Sequence, residues 1–142
     1  MAGTIELEII TAREVALRAE IRDLYIPAFL GEAGVLSHHL PYITLLKPGE
    51  LSYLDLEGQR HYLWSHEGFL EVRDDRLALI LDGFERGEDL DEEGLRRELR
   101  ETEARIQSSF QGAISPDELQ VELGRQRELQ AKLAICRKIR GQ

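Results

Sequence analysis

A single cysteine, Cys136, stands in the 142 residues. One thiol closes no intrachain disulfide and builds no cysteine-rich metal site, and it fits a reducing compartment. Positive charge is also short. Against 27 Asp and Glu there are 18 Lys and Arg, a formal net charge of −9. A nucleic-acid or anionic-lipid binder needs a basic face, so the balance argues against both. The first ten residues, MAGTIELEII, lack the basic stretch that precedes the apolar core of a secretory signal, and they are poor in the Arg and Ser of a transit peptide. No apolar run approaches the roughly 20 residues that span a bilayer. The expectation is a soluble chain that reaches a membrane only through a partner. Internal repeats and low-complexity linkers are missing too.

What is present suffices for a packed core: 42% of residues are hydrophobic, and the length suits one domain, or one domain with a small appendage. The charge is uneven. Residues 1–89 carry 17 Asp/Glu and 8 Lys/Arg, whereas residues 90–142 carry 10 of each. That shift predicts a boundary near Asp89, giving domains 1–89 and 90–142. In the first, Ile5, Leu7 and Ile9 alternate with Glu6 and Glu8, the period of a half-buried strand. Thr11 to Glu14 reads as a turn, after which Val15 and Leu17 resume the alternation and Ile21, Leu24 and Ile26 follow. Further strands are expected around Leu51–Leu56, His61–Ser65, Phe69–Val72 and Leu77–Leu81, with turns at Glu57-Gly58-Gln59, Glu67-Gly68 and Asp74-Asp75. Strands recurring about every 8–12 residues mark an all-β sandwich or barrel.

The period changes after Asp89. Leu95, Leu99, Thr102, Ile106 and Phe110 fall on one face of a helix. Asp89 or Asp91 can cap it, and Glu92 and Glu93 suit its dipole. After Gln111-Gly112-Ala113, Ser115-Pro116-Asp117-Glu118 predicts a second start: Ser at N-cap, Pro at N1 and Glu at N3. This helix runs to about Arg140, with Leu119, Leu123, Leu129, Leu133 and Cys136 on one side. Val121, Ile135 and Ile139 fall on the other, where they need either the β domain or a partner protein. An all-β domain followed by an antiparallel helical hairpin is therefore the expected architecture.

The stretch Gly31–Glu50, GEAGVLSHHLPYITLLKPGE, draws attention because it concentrates Gly, Pro and His. It reads as a tight turn at Gly31–Gly34, a two-residue apolar stub at Val35 and Leu36, a corner at His38, His39 and Pro41, a strand over Tyr42–Leu46, and a turn at Lys47-Pro48-Gly49. Adjacent His residues on a strand point to opposite faces and share no ion, and no third ligand has useful spacing. The glycines are not followed by Gly-Lys-Ser/Thr, so they form no phosphate loop. Ser37 beside His38 lacks the Gly-x-Ser-x-Gly elbow of a nucleophile. The acid-rich Glu85–Asp91 fits no calcium loop and reads as a solvated connector with a helix cap. Trp64 reads as core. With no catalytic constellation, spacing favours a non-catalytic role. A free-standing adaptor module and a small enzyme using the His pair are the other readings.

Several short motifs, in order, resemble the epsilon subunit of bacterial-type F-type ATP synthases, whose mitochondrial counterpart is called delta. Gly31, Glu32, Gly34, His39, Pro41, Lys47, Pro48 and Gly49 follow the family's early signature. Gly68-Phe69-Leu70-Glu71-Val72 matches its Gly-Gly-x-Leu-Glu-Val with Glu67 in place of the first Gly. Asp82, Glu85, Arg86, Asp89, Leu90 and Asp91 match its connector, and Leu7-Glu8-Ile9-Ile10-Thr11 its first strand. The resemblance spans nearly the whole chain and implies a non-catalytic central-stalk rotor subunit without a cofactor. It implies a sandwich that binds the gamma subunit and rests on the membrane c-subunit ring, and a hairpin that transiently meets alpha and beta and blocks ATP hydrolysis. It places Gly31 and Glu32 at the c-ring, His39, Pro41 and Tyr42 towards gamma, and Arg125, Arg127 and Lys132 among the hairpin contacts. The implied location is the cytoplasmic face of a bacterial inner membrane, peripheral through the complex.

Departures are local. Ser37 stands where the family has Pro, and His38 where Gly is common. ATP-binding members carry Leu/Ile-Asp-x-x-Arg-Ala, which here is Leu90-Asp91-Glu92-Glu93-Gly94-Leu95, and Glu128 and Lys132 stand where those members have arginines. Without the guanidiniums the phosphates lose bidentate partners, so no tight ATP binding is expected. Gly94 and Gly124 lie within predicted helices, each costing up to about 1 kcal/mol against Ala, which predicts an easily remodelled hairpin.

Overall fold

The computed structural model describes residues 3–29, 31–36, 41–112 and 114–141; Ser37, His38 and His39 lie outside them. The chain divides into two compact units between Arg86 and Gly87. In the first, nine strands follow one another: β1 (Ile5–Ile10), β2 (Val15–Ala28), β3 (Gly31–Leu36), β4 (Tyr42–Leu46), β5 (Gly49–Asp55), β6 (Arg60–Ser65), β7 (Gly68–Arg73), β8 (Arg76–Leu81) and β9 (Phe84–Arg86). They form a β-sandwich with spatial order β1-β8-β7-β4-β2-β5-β6-β9, in which β3 and β1 also pair with β2.

The alternating residues of β1 behave as their spacing predicts. Ile5, Leu7 and Ile9 are buried, and Glu6 faces outwards. The long β2 explains a break in the alternation. Its first half runs antiparallel to β1, from Val15 opposite Ile10 to Ile21 opposite Ile5. Its second half pairs with β3 and β5. Against β5 the register shifts between Ile21 and Asp23. One extra residue at that point resets which side chains face inwards, so Leu24 and Ile26, three and five positions beyond Ile21, are buried with it. With Leu46, Leu51, Leu63, Leu70, Val72, Leu77, Leu79 and Leu81 they make one core. Each such side chain contributes about 1.5–3 kcal/mol of burial.

The reading of Gly31–Gly34 as a tight turn, with a two-residue stub after it, is corrected. Gly31 to Leu36 is a six-residue strand, paired residue by residue with Asp23 to Ala28 of β2. Of Gly31 and Gly34, Gly31 alone has a positive φ, +123°, which a side chain rarely adopts. Gly34 is extended and is glycine for a different reason. A Cβ there would come within 2.9 Å of the Tyr25 ring opposite. The local spacing Gly-x-x-Gly resembles a turn, but the pairing partner decides.

The second unit begins with a short 3-10 turn, Gly87–Asp89, and continues with α1 (Glu92–Ser109) and α2 (Pro116–Ile139). Asp91, not Asp89, caps α1, accepting from the Gly94 amide at 3.2 Å. Ser115 caps α2, accepting from the Glu118 amide at 3.1 Å. The helices share a small core of Leu95, Leu129, Leu133 and Cys136, with Leu90 and Leu99 against it. Phe110 does not extend the apolar face of α1. It is the C-cap residue and is 82% exposed, because the helix ends one residue before it. The opposite stripe of α2 is also broken: Ile135 is buried, whereas Val121 and Ile139 are exposed.

Gly68 supplies a test of the strand packing. A Cβ on it would lie 2.1 Å from the Ile80 carbonyl oxygen, a backbone atom of the adjoining β8. Gly68→Ala must therefore push β7 from β8, and a loss of about 1–3 kcal/mol is expected. Urea unfolding should show a lower midpoint with an unchanged slope; an unchanged midpoint would contradict the contact.

Candidate interaction surface

β4 is apolar on both faces. Tyr42, Thr44 and Leu46 alternate with Ile43 and Leu45, and Leu46 enters the core. Ile43 and Leu45 point the other way and are 67% and 62% exposed. On β7, Phe69 stands opposite Leu45 and is also exposed, and Phe29, just past the end of β2, is 63% exposed. An open groove of about 520 Å³ joins these residues to the start of β3: Phe29, Ile43 and Leu45 line it together with Gly31, Glu32 and Ala33. Exposed large apolar side chains gathered in this way mark a candidate interaction surface. Glu32, exposed at the groove, adds a carboxylate to an apolar rim.

The expected site residues therefore separate into groups. Gly31 and Glu32 belong to the groove. Pro41 is exposed and Tyr42 half-buried at the entry to β4, immediately before Ile43; burial pushes the Tyr42 hydroxyl pKa up. His39 lies outside the described residues. Phe29, Ile43, Leu45 and Phe69 were not singled out from the sequence. For Ile43 and Leu45 the sequence signal is the apolar run Tyr42–Leu46, which a strand buried on both faces would show as well.

On the hairpin, Arg127 is exposed, but Arg125 and Lys132 are engaged. Arg125 donates to Glu98 of α1 and to Glu128 of α2. Lys132 is buried, with its ammonium 3.4 Å from Glu128. The first turn of α1 offers little to an anion. The Asp91 carboxylate serves as the helix cap, Glu92 pairs with Arg96 and Arg140, and Gly94 provides no cation. A Cβ on Gly94 would sit 2.4 Å from Asp91 Oδ2, so glycine lets the cap fold over the turn. These residues do not suit a polyphosphate.

Two further features have the composition of a site. A groove of about 1000 Å³ crosses β1, β2, β7 and β8, where each arginine of its lining pairs with a glutamate, Arg18 with Glu8 at 3.0 Å, Arg76 with Glu6 at 3.4 Å and Arg73 with Glu71 at 3.3 Å. In the β5–β6 hairpin, Asp55 Oδ2 lies 2.8 Å from His61 Nε2, and the His61 ring stacks on Tyr53. Asp55 Oδ1 accepts from the amides of Glu57 and Gln59, so this acid–His pair clasps a turn. Among the described residues no cluster of three or more His, Cys, Asp or Glu could hold a metal ion, and no helix is long and apolar enough to cross a membrane.

Residues 4–87 match the family model described as ATP synthase, Delta/Epsilon chain, beta-sandwich domain. An ATP synthase epsilon chain of Nitrosococcus oceani is 31% identical over 140 residues, covering 99% of this chain and 97% of its own length. The chain belongs to the ATP synthase epsilon-chain family. Another epsilon chain, from Desulfosudis oleivorans, is 34% identical over 108 residues, 76% of this chain and 81% of its own length. The fold recurs in a chain of the Euglena gracilis mitochondrial ATP synthase, with a TM-score of 0.68 at 24% identity, covering 97% of this chain and 80% of that one. As a member of that family, the chain is a subunit of an enzyme complex.

The Asp55 clasp predicts an acid sensitivity of the epsilon sandwich. The His61 hydrogen bond, then the Gln59 amide, hold the Asp55 carboxyl below its ordinary value of 3.8. A depressed folded pKa contributes stability above the unfolded value, and that contribution is lost as pH falls through the folded one. Thermal unfolding followed from about pH 5 down to about pH 2 should show a smaller acid-induced loss in Asp55→Asn than in the parent. Equal losses would exclude the clasp as a source of acid sensitivity.

Proposed function

We propose that this epsilon chain is a non-catalytic rotor subunit of the central stalk, linking gamma to the c-subunit ring and coupling proton or sodium flow to ATP synthesis. The hairpin restrains ATP hydrolysis by reaching the alpha and beta subunits. The observation that carries this reading is the apolar outer face of β4 and β7, with Phe29 at its edge and Glu32 in the same groove. A face of that kind on a nine-strand unit with its own complete core has no role within the core, and it suits a stable protein contact. Gly31 and Glu32 meet the polar loops of the c-ring, and Pro41 and Tyr42, with His39, face gamma. Arg125, Arg127 and Lys132 are the hairpin residues proposed to meet acidic segments of the catalytic subunits. Peripheral attachment at the cytoplasmic face of a bacterial membrane follows from this role, and no cofactor is called for.

Two experiments test the two halves of the proposal. Ile43→Asp with Leu45→Asp places charge on the exposed face without entering the core. The variant should keep the parent's unfolding midpoint but lose co-purification with gamma. Retained co-purification would move the contact elsewhere. In the reconstituted catalytic head, removal of residues 91–142 should raise ATP hydrolysis severalfold, an effect on the order of 1 kcal/mol in the balance of states. Unchanged hydrolysis would remove the inhibitory role and leave the rotor role standing.

A further inference from the structure

The helices of the hairpin meet along a repeating seam. On α1, Leu95, Leu99, Thr102 and Ile106 follow in steps of four, three and four, and each is buried or half-buried. On α2, Leu129, Leu133 and Cys136 show the same alternation, and the series extended back towards the turn reaches Gln126 and Glu122, both half-buried. Such a seam comes back into phase when one helix slides by seven residues, about 10 Å along the other. The apolar core does little to forbid the slide. It consists of Leu95, Leu129, Leu133 and Cys136 with Leu90 and Leu99 against them, and one apolar side chain of similar size replaces another at small cost.

Polar groups sit where the seam runs towards the turn. Thr102 is 1% exposed, and with Leu95 it makes up the buried residues of α1. The Arg105 guanidinium donates from Nη2 to Thr102 Oγ1 at 3.3 Å and from Nε to Glu122 Oε1 at 3.0 Å. Arg105 thereby joins a buried hydroxyl of its own helix to a carboxylate of the other. The second carboxylate oxygen, Glu122 Oε2, is buried without a hydrogen-bond partner among the described residues, an arrangement that costs stability rather than adding it. These three residues match in one register only. With α2 displaced by seven residues, Arg105 lies level with Leu129 or Ser115. Neither is a carboxylate, and Thr102 and Glu122 lose the guanidinium between them.

We propose that Thr102, Arg105 and Glu122 form the register key of the helix pair. The leucines supply an attraction that more than one register satisfies, and the trio admits one. A polar layer of this kind gives a unique pairing at some cost in stability. The displaced pairing keeps its leucines but leaves a hydroxyl and a carboxylate in the seam with no cation to bridge them. The key belongs to the hairpin in its paired form. It does not rest on the rotor role proposed above, so the isolated full chain decides it.

Spin labels on Arg97→Cys and Gln120→Cys, at exposed positions offset along the helix pair, read the register of the full chain as an inter-label distance, with Cys136→Ala to keep the native thiol unlabelled. The labelled parent should give one distance. Thr102→Val with Glu122→Leu should keep the helix content and an unfolding midpoint at or above the parent's. It should add a second distance displaced by roughly 5–10 Å, in at least about a tenth of the molecules. Arg105→Gln, which changes no buried side chain, should add the second distance as well. Arg105→Glu with Glu122→Arg, which restores the pair in reverse, should return to one distance. A single unchanged distance in Thr102→Val with Glu122→Leu or in Arg105→Gln would overturn the key, as would a second distance that persists in the reversed pair. Loss of helix with a lowered midpoint in Thr102→Val with Glu122→Leu would overturn it too, because the trio would then be a source of stability and not of register.

Discussion

A strand that serves two layers of a sandwich must reset its inward face where it passes from one to the other, because side chains alternate with a period of two. β2 meets that constraint with its irregular step between Ile21 and Asp23. Before the step, Ile21 and the residues opposite β1 complete one layer; after it, Leu24 and Ile26 complete the other beside β3 and β5. Without the step, the regular period from Ile21 would point Asp23 inwards and Leu24 to solvent. Instead Asp23 is free to bind Arg60 at 2.8 Å, and Arg60 lies over the Tyr25 ring. The polar side of this strand is thus ordered by the same irregularity that closes the core.

The end of β2 also sets up the interaction surface. Its last residue, Ala28, is opposite both Gly31 of β3 and Leu46 of β4, and the Lys47 amide donates to the Pro27 carbonyl at 3.0 Å. That corner gathers Phe29, the Gly31–Glu32 start of β3 and the outer residues of β4 around one groove. The surface is rigid because its backbone belongs to a paired sheet, which lowers the ordering cost of binding. The helical unit has opposite properties. Its buried seam is short, Gly94 and Gly124 lie in its helices, and guanidinium–carboxylate pairs cross between them. The two units are thus held in different ways, the sheet by continuous strand pairing and the helix pair by a short apolar seam with cross-helix ion pairs.

The strands were legible where one face is buried and the other solvated. Ile5, Leu7 and Ile9 alternate with glutamates, and Leu77, Leu79 and Leu81 repeat the pattern, so periodicity alone gives both element and orientation. The start of α2 was equally legible, since Ser115-Pro116 suits amide groups that any helix leaves open, whereas the cap of α1 stayed open between Asp89 and Asp91 until the structure showed Asp91. The residues of the groove were harder. Gly31 and Glu32 came from a resemblance in motif order, and the apolar half of the surface was read only as part of a strand. An apolar residue on a strand has the same local signal whether the core or a partner covers it. Only the position of the sheet tells the two apart.

By itself, the sequence determined the fold class, the cap of α2 and the family, because these rest on local spacing and on short motifs in a fixed order. Tertiary structure decided the rest. It made a strand of Gly31–Leu36, where Gly-x-x-Gly suggested a turn, because hydrogen bonding to β2 outweighs a local preference. It sent Ile43 and Leu45 to solvent while Leu46 entered the core. It also placed Arg125 and Lys132, expected among the hairpin contacts, in ion pairs with Glu98 and Glu128. Each of these depends on residues far apart in the chain, and a pairing partner, a burial environment or an ion pair comes into being only once the chain has folded.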